Sequence, residues 1–354
     1  MTAENNAAAK ANTVFPNLRD PSWGWIHFSP LVYAFLANMF GVAILARYSN
    51  RSTLYPLVAT LVITHGRVLS AYMVHEATHG NIFKDHWANH WFGVLALWCA
   101  GCPYCDFRHV RIMHIKHHKD RADVVEFDYR AFISNTSVAV RHTILCLEFF
   151  CIPVVETIHH LRSALYPLFY PVPTSRRQSS ALGVSASLML YTILYLQTPI
   201  ALAWYFSSGI LMLNFLAFND AFHHTYEAVL MEDYIPGPGN RTAQYEEENT
   251  FSNLVTENPN YQWLNGLFTL NFGYHNAHHV KPMTPWYGLP TLHRTVYSDE
   301  DTPQVLPFGD LLYPWWKHRL ERVVNEDYGV VKPLGTPHRA RNFVGALGVS
   351  FLTV

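Results

Sequence analysis

Charge is scarce in this chain. Only 14% of its 354 residues are Asp, Glu, Lys or Arg, against about 25% in an average soluble domain. Half of the residues are apolar and 15% aromatic. Yet the mean hydropathy of +0.02 is too low for a chain made wholly of membrane spans, so a few spans plus a substantial polar portion fit. Neither sign of charge is in excess. With a net charge of −1 and a pI near 7.1, there is no electrostatic case for binding nucleic acid or for a polybasic membrane anchor. Cysteines number five (Cys99, Cys102, Cys105, Cys146 and Cys151). An odd count clustered near apolar segments is not a disulfide framework. Cys102-Pro103-Tyr104-Cys105 has no βαβ pattern around it, which makes it a packing feature rather than a redox pair. Residues 1–17 are rich in Ala and Asn and lack an apolar run, so they are not a secretory signal, and targeting is expected from an internal span.

Long apolar runs are present. A span needs about 20 predominantly apolar residues. Residues 28–46 and 54–74 make one pair of runs, and residues 181–196 and 199–218 make another, joined only by Gln197-Thr198. So short a joint makes an antiparallel hairpin. Residues 91–102 are apolar but too few to cross, and residues 143–155 are interrupted by Pro153 and carry Glu148; both are expected to be interfacial or half-buried. Arg176 and Arg177 suit a cytosolic flank. Arg47 and Arg51 fall in the opposite loop, against that rule. No linker divides the chain.

Three histidine clusters lie on this frame: His75-Glu76-Ala77-Thr78-His79, His114-Ile115-Lys116-His117-His118 and His275-Asn276-Ala277-His278-His279. Residues three and four apart share a helix face, so each cluster points its imidazoles one way. With 21 His in the chain, chance pairs such as His159-His160 are expected, and a lone histidine is usually a hydrogen-bonded core residue. A repeated His-x-x-His-His preceded by His-x-x-x-His is not a chance pattern. Eight convergent histidines exceed what one zinc can use, since it takes about three or four ligands. Two metal ions fit the count. The first cluster follows the second span, the second precedes the third span and the third follows the fourth, so two hairpins entering from one side put all three on the same face.

This order of boxes is similar to that of the membrane fatty-acid desaturase superfamily, which includes lipid desaturases, hydroxylases and carotenoid ketolases. Phe107-Arg108 before the second box agrees, as does the trailer from Pro282 to His293, which contains Leu289-Pro290. The resemblance covers about residues 28–295. It implies an all-α integral membrane fold with about four transmembrane helices in two hairpins and a cytosolic helical cap carrying the boxes. Residues 1–27 would be an N-terminal tail, residues 28–295 the membrane domain and residues 296–354 a C-terminal cytosolic extension. The membrane would be the endoplasmic reticulum in a eukaryote or the inner membrane in a bacterium.

The resemblance further implies two non-heme irons, with O2 as co-substrate and a long-chain lipid as substrate. Breaking an unactivated C–H bond needs a redox-active metal, which excludes zinc. By resemblance the metal ligands are His75, His79, His114, His117, His118, His275, His278 and His279. Stearoyl-type members complete the shell with an Asn and a His four residues apart at the cytosolic end of the fourth span. Asn219 and His223 have that spacing, which makes His223 the ninth ligand; His224, one residue on, is the alternative ligand or a hydrogen-bonding neighbour. Metal-bound imidazoles need outer partners, and Glu76, Asp220, Asp123, Glu126 and Asp128 are candidates, with Arg108 pairing one of them. Lys116 and Arg111 are expected to face solvent or headgroups. Residues 227–260, with the run Glu246-Glu247-Glu248, read as a solvated excursion.

Desaturation of a fatty acyl chain is the leading expectation. Hydroxylation or ketolation of a lipid or terpenoid, or decarboxylation to an alkene, is the alternative, because the His-x-x-x-His spacing of the first box differs from the longer spacing of stearoyl-type enzymes. His75-Glu76-Ala77-Thr78-His79 is also the His-Glu-x-x-His of zinc proteases, but an intramembrane protease leaves six box histidines unexplained. A metal transporter would interrupt its spans with ligands, and bis-histidine heme would need facing histidines within them, where only His65 lies. No His-Pro-Gly-Gly heme motif and no Gly-x-Gly-x-x-Gly fingerprint occurs in the sequence, so electrons are expected from a separate cytochrome b5 or ferredoxin with its reductase.

Overall fold

The computed structural model describes residues 17–233, 235, 241–297, 304–348 and 352. Most of the N-terminal tail, the Pro236-Gly237-Pro238-Gly239-Asn240 run and parts of the C-terminal segment lie outside them. The chain divides into two compact units, Met1–Arg111 with Thr174–Gly209 and Ile112–Pro173 with Ile210–Val354.

The first unit is built on α1 (Ser29–Tyr48), α2 (Leu54–Thr78) and α3 (His86–Ala100). Helices in an apolar solvent pack through small residues that let backbones approach, and α1 and α2 do so. A Cβ on Gly41 would stand 2.4 Å from Ile63 Cγ1, and one on Gly66 would stand 2.9 Å from Ala37 Cβ. The α2 helix continues past residue 74 to Thr78, so the first box lies within and at the end of the helix rather than after it. Asp85 caps α3 by accepting from Trp87 and Ala88 N–H, and Gly101, at φ 85°, ends it. Its 15 residues reach only about 22 Å at 1.5 Å per residue, short of a bilayer core of about 30 Å. Ser70 Oγ of α2 donates to Ala96 O at 2.8 Å. The unit also holds α8 (Thr174–Gln197) and the first half of α9 (Pro199–Asp220). Thr60 and Thr64 donate to Trp204 O and Ser208 O, tying α2 to α9.

Among the described residues, four helices are long and apolar enough to cross a membrane: Pro21–Tyr48, Leu54–Thr78, Thr174–Gln197 and Pro199–Asp220. The mostly helical architecture with four such helices is the one expected from sequence. Arg176 and Arg177 lie inside α8, in its first turn.

The second unit takes up α4 (Phe107–Asp120) from Ile112 onward and α9 from Ile210 onward. It contains α5 (Tyr129–Asn135), α6 (Val138–Phe149), α7 (Val154–Phe169), α10 (Ala243–Glu248), α11 (Trp263–Thr269), α12 (His275–Val280), α13 (Leu289–Val296), α14 (Phe308–Lys317) and α15 (Glu321–Val324). Short strand pairs join distant loops. β1 (Asp123–Val125) runs parallel to β2 (Ala228–Leu230), and β3 (Ser252–Leu254) runs parallel to β4 (Val305–Pro307). One apolar core gathers Phe218, Ala221, Phe222 and Phe251 with Leu306, Leu311, Ala340 and Phe343. The segment after residue 295 therefore shares the core beneath the end of α9.

Candidate metal centre

In the second unit the second and third boxes face each other. The α4 helix presents His114, His117 and His118, and the short α12 presents His275, His278 and His279. The boxes do not act as blocks: each keeps its i and i+4 imidazoles together (His114 with His118, His275 with His279) and gives its i+3 imidazole to the other group. His118 Nε2 lies 3.1 Å from His114 Nε2 and 3.0 Å from His278 Nε2. His117 turns the other way, its Nε2 3.1 Å from that of His224, which is in turn 2.7 Å from His275 Nε2. His279 completes this second group. Within each group the ligand atoms lie within 4.8 Å of one another.

His224 belongs to the second group and His223 does not. The α9 helix ends at Asp220, so Asn219 and His223 do not share a helix face. The backbone of His224 bridges Thr250, and His223 O accepts from Phe251 N–H at 2.8 Å. Successive side chains of a bridged, extended backbone point opposite ways. His223 instead stacks flat on His275, ring centroids 4.1 Å apart, with its Nδ1 3.9 Å from Asp220 Oδ1. Asn219 is buried, and its carbonyl accepts from Asn253 Nδ2 at 3.0 Å.

Burial sets the protonation of these rings. It pushes His223 down to about 3 and His279 down to about 4, and it holds His224 and His275 well below the usual histidine value. Neighbouring imidazoles add to the effect. A neutral ring has one nitrogen lone pair, and the hydrogen bond at the other nitrogen decides which. His117 Nδ1 is 3.0 Å from Ala122 O and 3.2 Å from Asp123 Oδ1, so its proton is held there and Nε2 is left for a metal. His279 Nδ1 lies 3.0 Å from Glu246 Oε1, and its buried Nε2 has no hydrogen-bond partner among the described residues. His224 Nδ1 faces Thr250 Oγ1 at 3.5 Å, and the Tyr226 ring stacks on it at 4.3 Å. Buried, neutral, all-nitrogen donors with outer carboxylates fit a first-row transition metal.

In the first unit, His75 and His79 lie buried at the end of α2 with ring centroids 4.8 Å apart. Glu76 is buried beside them, its Oε1 3.8 Å from His75 Nδ1, and its Oε2 accepts from Asn81 at 3.5 Å. Arg108 is exposed, with its backbone N–H on Asp106 Oδ1. Arg111 Nε donates to Thr78 O at 3.0 Å, closing the C-terminal end of α2.

Of the other carboxylates named from sequence, Asp123 meets a box histidine, whereas Asp128 caps α5 by accepting from Ala131 N–H. Glu246 was missed: far from being solvated, it accepts from both Arg121 Nε, at 2.7 Å, and His279. Burial works to raise its carboxyl, but those two partners outweigh it and hold it below the usual range. Nothing in the run Glu246-Glu247-Glu248 marks the first glutamate from the next two. Lys116 Nζ reaches Met231 O at 3.4 Å.

A family model described as fatty acid desaturase matches residues 52–310 of the chain. A search among curated proteins found no match.

Proposed function

The chain belongs to the fatty acid desaturase family, and on that premise we propose that it is a membrane di-iron enzyme that uses O2 and externally supplied electrons to desaturate a long-chain acyl lipid. Membership makes it an oxidoreductase of the desaturase and hydroxylase type. The observation that carries the finer reading is the division of the two His-x-x-His-His boxes into two separate nitrogen groups. A single-metal site would have no use for such a division.

In this reading His117, His224, His275 and His279 hold one iron. His114, His118 and His278 hold the other, and family resemblance adds His75 and His79 of the first box to the ligands of the pair. When bound, the iron pair supplies the redox chemistry that activates O2 against an unactivated C–H bond. The chain's own residues do the rest. Asp123 and Glu246 keep the Nδ1 protons of His117 and His279 and so direct their Nε2 lone pairs inward. Arg121 fixes Glu246 in turn. Burial keeps the His224, His275 and His279 rings neutral, so metal binding there does not compete with protons at neutral pH.

Hydroxylation or ketolation is the second reading, favoured by the His-x-x-x-His spacing of the first box, and the same iron pair serves both. A separate cytochrome b5 or ferredoxin, with its reductase, is the proposed electron source, and the endoplasmic reticulum or bacterial inner membrane the proposed location.

Expression in a host that makes abundant long-chain lipids, followed by mass spectrometry of the total lipid extract, tests the reaction. Lipids with one added double bond, absent with His118→Ala, are the expected result. Lipids with one added oxygen would transfer the conclusion to hydroxylation, and an unchanged lipid profile in a cell where the protein carries iron would contradict both.

A further inference from the structure

Within the second unit, α7 is inside out. Its polar residues Glu156 and His159 are only 3% and 4% exposed, whereas Leu161 and Phe169 are 54% and 77% exposed. Leu165 continues the outward stripe at the spacing of a helix face. Water would favour the reverse arrangement, because apolar surface is stable only when it is removed from water. The apolar face needs an apolar solvent.

The helices α6 and α7 together are apolar enough to be one bent span, with 113° between them, or a loop that dips in and returns. Counting crossings decides between these. Between His118 and His278 the chain passes through α8 and α9, which carry it across and back. A third crossing would leave those two histidines on opposite sides of an apolar layer about 30 Å thick, yet their Nε2 atoms are 3.0 Å apart. The α6–α7 pair therefore enters and leaves by the same face. Its elbow sits at membrane depth. Asn214 of α9 donates to Cys151 O in the elbow at 3.0 Å, and Asn214 is 220 − 214 = 6 residues before the end of α9, about 9 Å along a helix. Phe149, Phe150 and Ile152 flank Cys151 and are exposed.

The amphipathic α14 extends the same surface. It buries Leu311 and Pro314 and exposes Leu312, Tyr313 and Trp316. Arg319 ties it to the elbow, its guanidinium 3.9 Å above the Trp316 ring and 4.1 Å above the Phe149 ring, with Nε donating to Phe149 O. Tryptophan and arginine together are typical of the boundary between acyl chains and headgroups.

We propose that α6, α7 and α14 form a lipid-embedded wedge: the α6–α7 elbow dips into one leaflet and returns, and α14 lies along that leaflet beside it. The partner of this surface is the acyl region of the bilayer, with headgroup phosphates at Arg319. The C-terminal segment is then a membrane-interface element and not a free cytosolic appendage. This rests on the fold and does not depend on which reaction the metal groups perform.

The full chain, unaltered, is reconstituted into phosphatidylcholine vesicles containing a lipid with a photoreactive diazirine in its acyl chain. Crosslinks are expected in the peptides holding Phe150, Leu165 and Leu312, alongside those in α8 and α9. In a second arm, Asn135→Cys and Thr174→Cys, each in a cysteine-depleted chain, are labelled in sealed vesicles with an impermeant maleimide. Both are expected to react from the same side. Labelling from opposite sides would make α6–α7 a span and overturn the proposal. So would lipid crosslinks confined to the spans, with none in the peptides holding Phe150, Leu165 and Leu312.

Discussion

His223 and His224 are adjacent and chemically identical, yet only His224 has its nitrogen among those of His117, His275 and His279. Sequence spacing points to His223 because it assumes that α9 continues to carry both Asn219 and its partner. The helix ends at Asp220, and the bridge between His224 and Thr250 sets side-chain direction by alternation instead. A one-residue change of rule decides which imidazole enters the group. Metal analysis of the two alanine variants checks this. His224→Ala should lose the iron of the four-histidine group, and His223→Ala should retain both irons while losing only the ring stacked on His275. The reverse pattern would return the assignment to His223. Box histidines were legible because their spacing repeats; Glu246 was not, because a long-range contact with His279 leaves no periodic mark on the residues around it.

At the scale of elements, the position of the third box depends on how closely α12 approaches β3. Gly273, two residues before the third box, shows the constraint. A Cβ there would stand 2.2 Å from Asn253 O, a backbone atom that cannot swing aside. Ser252 Oγ and the Asn276 side chain then lock the two segments, with Ser252 donating to Asn276 Oδ1 at 2.8 Å and Asn276 donating to Thr250 O at 2.8 Å. Gly273→Ala forces the segments apart, and overpacking of this kind costs about 1–3 kcal/mol. A lower Tm and reduced iron retention are expected, read by thermal unfolding and metal content. An unchanged Tm with full iron would show that the third box tolerates displacement from β3. The helices carrying the spans were readable from hydropathy; the parallel strands β1 to β4 were not, since each is three residues long and pairs with a segment more than 50 residues away (for β3 and β4, 305 − 252 = 53).

Over the whole molecule, the two-hairpin plan was legible because membrane spans are encoded locally by apolar length. The role of residues 304–348 was not, because Leu306, Leu311, Ala340 and Phe343 pack on Phe218 and Phe222 from far along the chain, without a motif. That packing places the C-terminal segment beneath the turn that carries His224, with Ala346 N–H donating to Ala221 O at 2.8 Å. The central claim, that the boxes divide to hold two irons, is tested most directly by the metal content of the purified chain. We predict two irons per chain, both lost in a variant carrying His118→Ala and His224→Ala together. A single zinc per chain that survives this double substitution would contradict the account.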